Sequence, residues 1–350
     1  MGTRLGAVAT VVAACTLLGP LAIPIEKRTG DQGLAPMTFV RENADLTGRL
    51  WIDTDAACGH SARTDPDDCL AIALLARVTG ERIAGISMVA GNAPLEVVER
   101  TTRELAAQLS VELRRPLAVR TGTRGLTAAL EEGPLTVVAL GPLTNLAAVL
   151  DARPELRSRV ARVVAVMGRR PGHIFHPAEG ARGATFFGHG PVFRDFNFEL
   201  DVSAAARILA LGVPLTLVPY DAARRVEMSA ADLDRLVAAG GAAAWAARRS
   251  REWLAYWRRD IGRQGFSPFD LLAAAYVVEP RQFGCAEVHA WVGEDATLFM
   301  LFRRPSALLV GQGAARPENA QARGLARYCA EVSAGIEAWL VERLARRDGP

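Results

Sequence analysis

The stretch Arg49-Leu50-Trp51-Ile52-Asp53-Thr54-Asp55, followed at Asp65-Pro66-Asp67-Asp68 by the apolar run Cys69 to Arg77, decides how this chain folds. Leu50, Trp51 and Ile52 running into acids read as a strand that ends in carboxylates. Pro66 stands where a helix begins, because its fixed φ suits the first turn and its missing N–H is not needed there. The same alternation continues outward. Arg82 to Val89 reads as a strand and Pro94 to Leu109 as a helix. Leu135 to Leu140 reads as a strand that runs through Gly141-Pro142 into a helix over Leu143 to Leu150. Val160 to Met167 and Val213 to Val218 are further apolar strands. Helices are expected near Ser229 to Val237, Ala243 to Asp260 and Phe269 to Val277, with a last one over roughly Pro317 to Arg346. Strands and helices alternating at this spacing make an α/β fold, a mostly parallel central sheet with helices on both faces. In such an open, Rossmann-like sheet the ligand binds beyond the carboxyl ends of the strands.

The chain has 350 residues, half of them apolar, enough to bury a sizeable core and too apolar for a disordered chain. Lys plus Arg (41) nearly cancel Asp plus Glu (38), so the charge excess of a nucleic-acid-binding protein is missing and no nucleic-acid partner is expected. The only lysine is Lys27. A phosphate-binding lysine, a Schiff base and a Ser-Lys dyad inside the fold are therefore excluded. Cys15, Cys58, Cys69, Cys285 and Cys329 are odd in number and never at CxxC spacing, which indicates neither a zinc cage nor a disulfide framework.

Gly6 to Ile25 is uncharged and mostly Ala, Val, Leu and Ile, which reads as a signal sequence or membrane anchor over residues 1–25. Residues 26–48 then read as a linker and 49–346 as the catalytic domain. A membrane-anchored or exported, periplasmic protein is expected, with a tether through residues 6–25; a cytoplasmic location is the alternative.

Five carboxylates, Asp53, Asp55, Asp65, Asp67 and Asp68, fall within sixteen residues. At one strand end they repel one another unless a positive charge sits among them. Helix capping accounts for Asp67 and Asp68 but not for Asp53 and Asp55. With no lysine available the natural counter-charge is a hard divalent cation, and all-oxygen ligation favours Ca²⁺ or Mg²⁺. Such a cation needs further oxygens, and the strand end near Leu140 and Asp270 at a helix start are the evident donors.

These residues resemble the inosine-uridine-preferring nucleoside hydrolases. Asp53-Thr54-Asp55 with Asp67-Asp68 is similar to that family's Asp-x-Asp and Asp-Asp hallmark, with a longer turn between. Ala90-Gly91-Asn92, Gly141-Pro142-Leu143-Thr144-Asn145, Asp195-Phe196-Asn197 with Asp201, and Phe269-Asp270 resemble its later segments, in order from about residue 49 to 280. The resemblance implies Ca²⁺-dependent hydrolysis of the N-glycosidic bond of a ribonucleoside. It implies Asp55 as general base and ligand, with Asp68, Asp270 and the Leu140 carbonyl completing the ligand set. Asp67, Asn92, Asp195, Asn197 and Asp270 would hold the substrate. The chemistry agrees: cleavage develops positive charge on the sugar, which carboxylates stabilise and a lysine would oppose.

The base end departs from the family. Phe269 stands where a histidine is usual and Asp195 where Glu is usual, and the turn Ala56 to Pro66 replaces a short Pro-Gly-x. His189 or His60 is then the candidate leaving-group acid. His173 and His176 with Glu179 read as packing or surface residues, and Tyr220-Asp221 as local turn chemistry. The stripe Trp245, Trp253, Tyr256 and Trp257 reads as core or as an interface between copies in a homo-oligomer. Two other readings remain: a Ca²⁺-dependent ribose or nucleoside binding protein with lost or altered catalysis, and a HAD-like phosphohydrolase using Asp53 and Asp55. The latter lacks its phosphate-binding lysine.

Overall fold

Leu50 and Ile52 pack into one apolar layer and Trp51 into the other, so the strand read first from the sequence is the spine of a sheet covered on both faces. The computed structural model describes residues 37–171, 195–294, 306–312 and 320–346. Its strands are β1 (Val40–Arg41), β2 (Leu50–Thr54), β3 (Ile83–Met88), β4 (Val119–Thr121), β5 (Leu135–Ala139), β6 (Val160–Ala165), β7 (Leu215–Leu217), β8 (Phe283–Glu294), β9 (Ser306–Gly311) and β10 (Ala322–Val332). They form one ten-stranded sheet in the order β1-β8-β10-β7-β6-β5-β2-β3-β4, with β9 also on β8. From β4 across to β10 every pair is parallel; β8 runs antiparallel to β10, β1 and β9.

The helices are α1 (Asp67–Thr79), α2 (Leu95–Glu112), α3 (Thr123–Glu132), α4 (Thr144–Ala152), α5 (Phe196–Leu200), α6 (Val202–Leu211), α7 (Tyr220–Ala223), α8 (Ala230–Ala239), α9 (Gly241–Arg249), α10 (Arg251–Tyr256), α11 (Phe269–Val278) and α12 (Ile336–Ala345). Buried residues of α1, α9, α11 and α12 fill one layer, and those of α3, α4 and α6 the other. Helix α1 is buried on nearly every side, as an apolar run with no polar stripe requires.

Several expectations are corrected. Ala322–Val332 is an interior strand, not the first half of a last helix; only Ile336–Ala345 is helical. The Ala, Leu and Arg content of that stretch favours helix, but β7 and β8 take up its backbone groups on both sides. The helix expected over Ala243 to Asp260 breaks at Ser250, whose hydroxyl donates to the Ala246 carbonyl (3.0 Å), and ends in a π turn over Trp257–Ile261. The described part of the expected linker belongs to the domain. Its β1 pairs with β8, and the buried Glu42 forms an ion pair with Arg327 (2.5 Å) and accepts from the Tyr276 hydroxyl (3.2 Å).

The cysteines are corrected too: Cys58 is bonded to Cys69 and Cys285 to Cys329. The second bond joins β8 to β10, which adjoin in the sheet although the cysteines lie 44 residues apart, so spacing alone does not reveal it. Trp245, Trp253, Tyr256 and Trp257 are core. Among the described residues no helix is long and apolar enough to cross a membrane. The stretch Gly6 to Ile25, His173, His176, Glu179 and His189 lie outside the described residues.

Candidate active site

After β2 the chain lays β3 and β4 on one side and β5, β6 and β7 on the other, so the order of strands reverses between β2 and β5. A crevice opens beyond the carboxyl ends of strands at such a switch point. Asp55 follows β2 there, Leu140 follows β5, and Asn92 follows β3.

Along β2 the alternation of side chains divides the acids. Asp53, on the Trp51 side, is locked into the scaffold. Its Oδ1 accepts from the Ser87 hydroxyl (2.6 Å) and the Asn145 amide (2.8 Å), while Ser87 in turn accepts from the Trp51 indole (2.7 Å). Thr54, on the other side, donates to Asp68 Oδ1. Asp55 lies past the last ladder bond and accepts twice from Asn92, from its backbone N–H at Oδ2 (2.9 Å) and from its side-chain amide at Oδ1 (3.2 Å). The same amide donates to Asp68 Oδ2 (3.1 Å), so Asn92 draws Asp55 and Asp68 together.

Two glycines make room for Asp55. A Cβ on Gly91 would lie 1.8 Å from Asp55 Oδ2, and one on Gly141 would lie 2.7 Å from Val89 Cγ1 and 3.2 Å from Asp55 Cγ. The glycines of the second and third matched segments are thus demanded by close backbone approach, not by turn conformation.

Asp67 and Asp68 occupy the first turn of α1, where the helix dipole favours negative charge. Asp270 is in the first turn of α11, and its backbone N–H donates to Asp67 Oδ2 (2.6 Å). Carboxylate oxygens of Asp67, Asp68 and Asp270 all lie within 4.8 Å of one another. Burial and the Asp68 charge push Asp55 well above the usual carboxylate range. Burial, then the Asp67 charge, pushes Asp68 up to about 7, and burial with the charges of Asp68 and Asp67 pushes Asp270 well above its ordinary value. Asp67 is raised by burial, and Asp65 is raised well above its usual range by burial and the neighbouring Asp67.

A bound cation is testable against these atoms. Asp67 Oδ1 and Asp270 Oδ1 are buried without a hydrogen-bond partner, and among the described residues no arginine pairs with Asp55, Asp67, Asp68 or Asp270. Buried acids held together with orphaned oxygens and no cationic side chain fit a hard, oxygen-preferring divalent ion. Leu140 follows β5 at the same reversal, and its carbonyl accepts from the Asn197 amide (2.9 Å), which also donates to the Val166 carbonyl (3.2 Å).

Other sequence candidates have partners outside this cluster. Asp195 accepts from the Gly168 N–H (2.8 Å), and burial pushes it up to about 7 against the opposing charge of Arg169. Asp201 caps α6 through the Ala204 N–H (2.9 Å) and accepts from Thr144 (2.6 Å). His60 is exposed at the tip of the long turn.

A second polar group lies where β6 and β7 end. Asp221 is buried, accepts from the Tyr328 hydroxyl (2.8 Å) and faces Arg170 Nε at 3.5 Å. Tyr220 beside it stacks on Phe269 with ring centres 6.0 Å apart. Sequence reading missed Arg170 and Tyr328 and took Tyr220-Asp221 as turn chemistry. The three polar residues come from separate segments and carry no shared spacing; Tyr-Asp at a strand end was the only signal.

Residues 50–322 match the family described as inosine-uridine preferring nucleoside hydrolase. The pyrimidine-specific ribonucleoside hydrolase RihA of Salmonella typhimurium is 28% identical over 164 residues, 46% of this chain and 47% of that protein. The match thus spans about half the length of that relative. Among solved structures, the plant nucleoside hydrolase PpNRh1 superposes with a TM-score of 0.64 at 17% identity, covering 86% of this chain and 98% of that one. A purine-preferring ribonucleoside hydrolase from Gardnerella vaginalis gives 0.61 at 17% identity, covering 85% and 98%. At such identities these structures support the fold alone.

Proposed function

The chain belongs to the inosine-uridine preferring nucleoside hydrolase family, and from that premise we propose that it hydrolyses the N-glycosidic bond of a ribonucleoside to ribose and free base. One observation carries the reading: Asp55, Asp67, Asp68 and Asp270 converge, buried and with no cationic partner among the described residues, at the switch point of the sheet.

Ca²⁺ is the cofactor that the all-oxygen donor set favours; Asp55, Asp68, Asp270 and the Leu140 carbonyl would hold it, and Asp67, whose oxygens lie within 4.8 Å of those of Asp68 and Asp270, is close enough to join them. When bound, it would supply positive charge that keeps the carboxylates ionised and a hard acceptor for water and sugar hydroxyls. Asp55 is the general base. It takes a proton from water as the water oxygen bonds to C1′ of the ribose, the C1′–N bond breaks, and its electron pair leaves with the base. Two amide hydrogen bonds from Asn92 hold the Asp55 carboxylate in one orientation for this step. The surrounding carboxylates stabilise the oxocarbenium-like sugar of the transition state. Asp67, Asn92, Asp195, Asn197 and Asp270 supply the polar groups that hold the ribose.

The departing base needs a proton or a hydrogen-bond donor. His60 and His189 remain candidates for it. Phe269 stacked on Tyr220 offers an apolar wall for a planar ring, and Arg170, oriented by Asp221, is the cationic donor at that end. The absence of histidine at position 269 also supports the second reading, a nucleoside-binding protein with lost or altered catalysis.

The protein is further proposed to be exported or membrane-anchored through residues 6–25, a reading that its two disulfides support because such bonds persist in oxidising compartments. Fractionation of cells expressing the full chain, with and without residues 1–37, tests it.

The decisive experiment is a panel of purine and pyrimidine ribonucleosides and p-nitrophenyl riboside, assayed with Ca²⁺ and with chelator. Turnover that needs the cation and is lost in Asp55→Asn is expected. Binding of nucleoside without turnover of any substrate selects the second reading. Activity that survives Asp55→Asn overturns the mechanism.

A further inference from the structure

The connection from Asp55 to Asp67 is the long turn that carries the chain from the end of β2 to the start of α1. Its outer arm is held by His60 N–H to the Ala57 carbonyl (2.9 Å), by the Ser61 and Thr64 hydroxyls (2.8 Å apart) and by Arg63 over the Tyr256 ring at 5.5 Å. Gly59 and His60 at its tip are exposed. Ala56, Ala57 and Cys58 are buried, as are Pro66 and the start of α1. Between these two buried arms runs the Cys58–Cys69 disulfide.

Its position is informative. Cys58 is three residues beyond Asp55, and Cys69 follows Asp68 directly in the first turns of α1. The bond therefore joins the segment leaving the proposed base to the backbone that presents Asp67 and Asp68. In a chain with a short turn, connectivity alone keeps two such groups of acids in register. A longer turn relaxes that restraint, since the number of arrangements open to the ends grows with length. These four carboxylates also repel one another until a cation binds, so they gain freedom by moving apart.

We propose that the Cys58–Cys69 disulfide is a positioning element of the cation site, replacing the short-turn restraint and holding Asp55 against Asp67 and Asp68. The inference rests on the functional reading above. The Cys285–Cys329 bond is the internal control, because it ties β8 to β10 and touches none of the four acids.

The test compares Ca²⁺ affinity by titration calorimetry in the parent, in Cys58→Ala/Cys69→Ala and in Cys285→Ala/Cys329→Ala, with circular dichroism confirming the fold. The first pair of substitutions is expected to weaken Ca²⁺ binding about tenfold, and the second to leave it within twofold. Equal affinity in the parent and Cys58→Ala/Cys69→Ala, or equal losses in both variants, overturns the proposal. A parent that binds no divalent cation overturns the functional reading along with it, which separates the two failures. Should Cys58→Ala/Cys69→Ala not fold, the Cys285→Ala/Cys329→Ala protein, with Cys58–Cys69 its one remaining structural disulfide, is titrated before and after reduction by a phosphine. The phosphine is oxidised to its oxide as two thiols form. Affinity unchanged on reduction overturns the proposal, and a tenfold loss supports it.

Discussion

Asp55 beyond β2 and Asp221 beyond β7 are both buried aspartates at strand ends of one sheet, yet their surroundings are opposite. Asp55 has two amide contacts, a neighbouring carboxylate and, among the described residues, no cationic side chain. Asp221 has the Tyr328 hydroxyl and the Arg170 guanidinium. One end of the crevice thus gathers acids with no arginine partner among the described residues, as the proposed cation requires; the other carries its own counter-charge. The difference teaches that burial of an acid does not make a cation site. What the proposed cation site needs is burial without an internal cationic partner, and among the described residues the β2 end meets that condition while the β7 end does not.

The strongest way to break the comparison is at Asp55. Asp55→Asn keeps the shape but removes the base, and steady-state assays are expected to show about a 10³-fold loss in kcat, the scale of general base catalysis. A loss under tenfold would remove Asp55 from the chemistry. Gly91→Ala is the next largest. Its methyl group would occupy the place of Asp55 Oδ2, so roughly a hundredfold loss of activity is expected, with weaker Ca²⁺ binding; Gly48→Ala, in open space, is the silent control.

The comparison also predicts how stability varies with pH. Burial raises Asp53 to about 6 and Asp68 and Asp195 to about 7. A carboxyl whose pKa is higher in the folded state than in the unfolded one favours folding while protonated. That contribution is complete below about pH 4 and disappears as pH rises through 6 to 7. In chelator the melting temperature is therefore expected to fall by roughly 5 °C or more from pH 5 to pH 8, at about 1.4 kcal/mol per pKa unit and some 2–4 °C per kcal/mol. Ca²⁺ should restore most of the loss at pH 8 and little at pH 5. A melting temperature that rises with pH in chelator contradicts the assignment of these acids as raised by burial.

The smallest effect probes the other end. Arg170→Ala is expected to lower kcat about tenfold on nucleosides and under threefold on p-nitrophenyl riboside, whose leaving group departs without help. Equal losses on both substrates would mean that Arg170 serves the fold through Asp221 and does not assist the leaving base.

Five of the ten described strands, β2, β3, β5, β6 and β7, were readable because parallel strands buried on both faces are continuous apolar runs, as in Val160–Ala165, and α1 declared itself through Pro66. Strand β10 was not readable, since its Ala- and Arg-rich residues carry no strand preference and neighbours impose the conformation. In the site, the acids on β2, α1 and α11 were legible because carboxylates at strand and helix ends are conspicuous. Arg170 and Tyr328 were not, because nothing in their local sequence distinguishes them from the other arginines and tyrosines.

By itself the sequence determined the alternation of elements, the chemistry left open by a lysine-free fold, and the identity of the acids, all of which are local or compositional properties. Tertiary structure alone decided which acids meet and which are neutralised. It also decided that four of the five cysteines pair, because a contact between residues 44 apart depends on strand order and register, which no window of sequence contains.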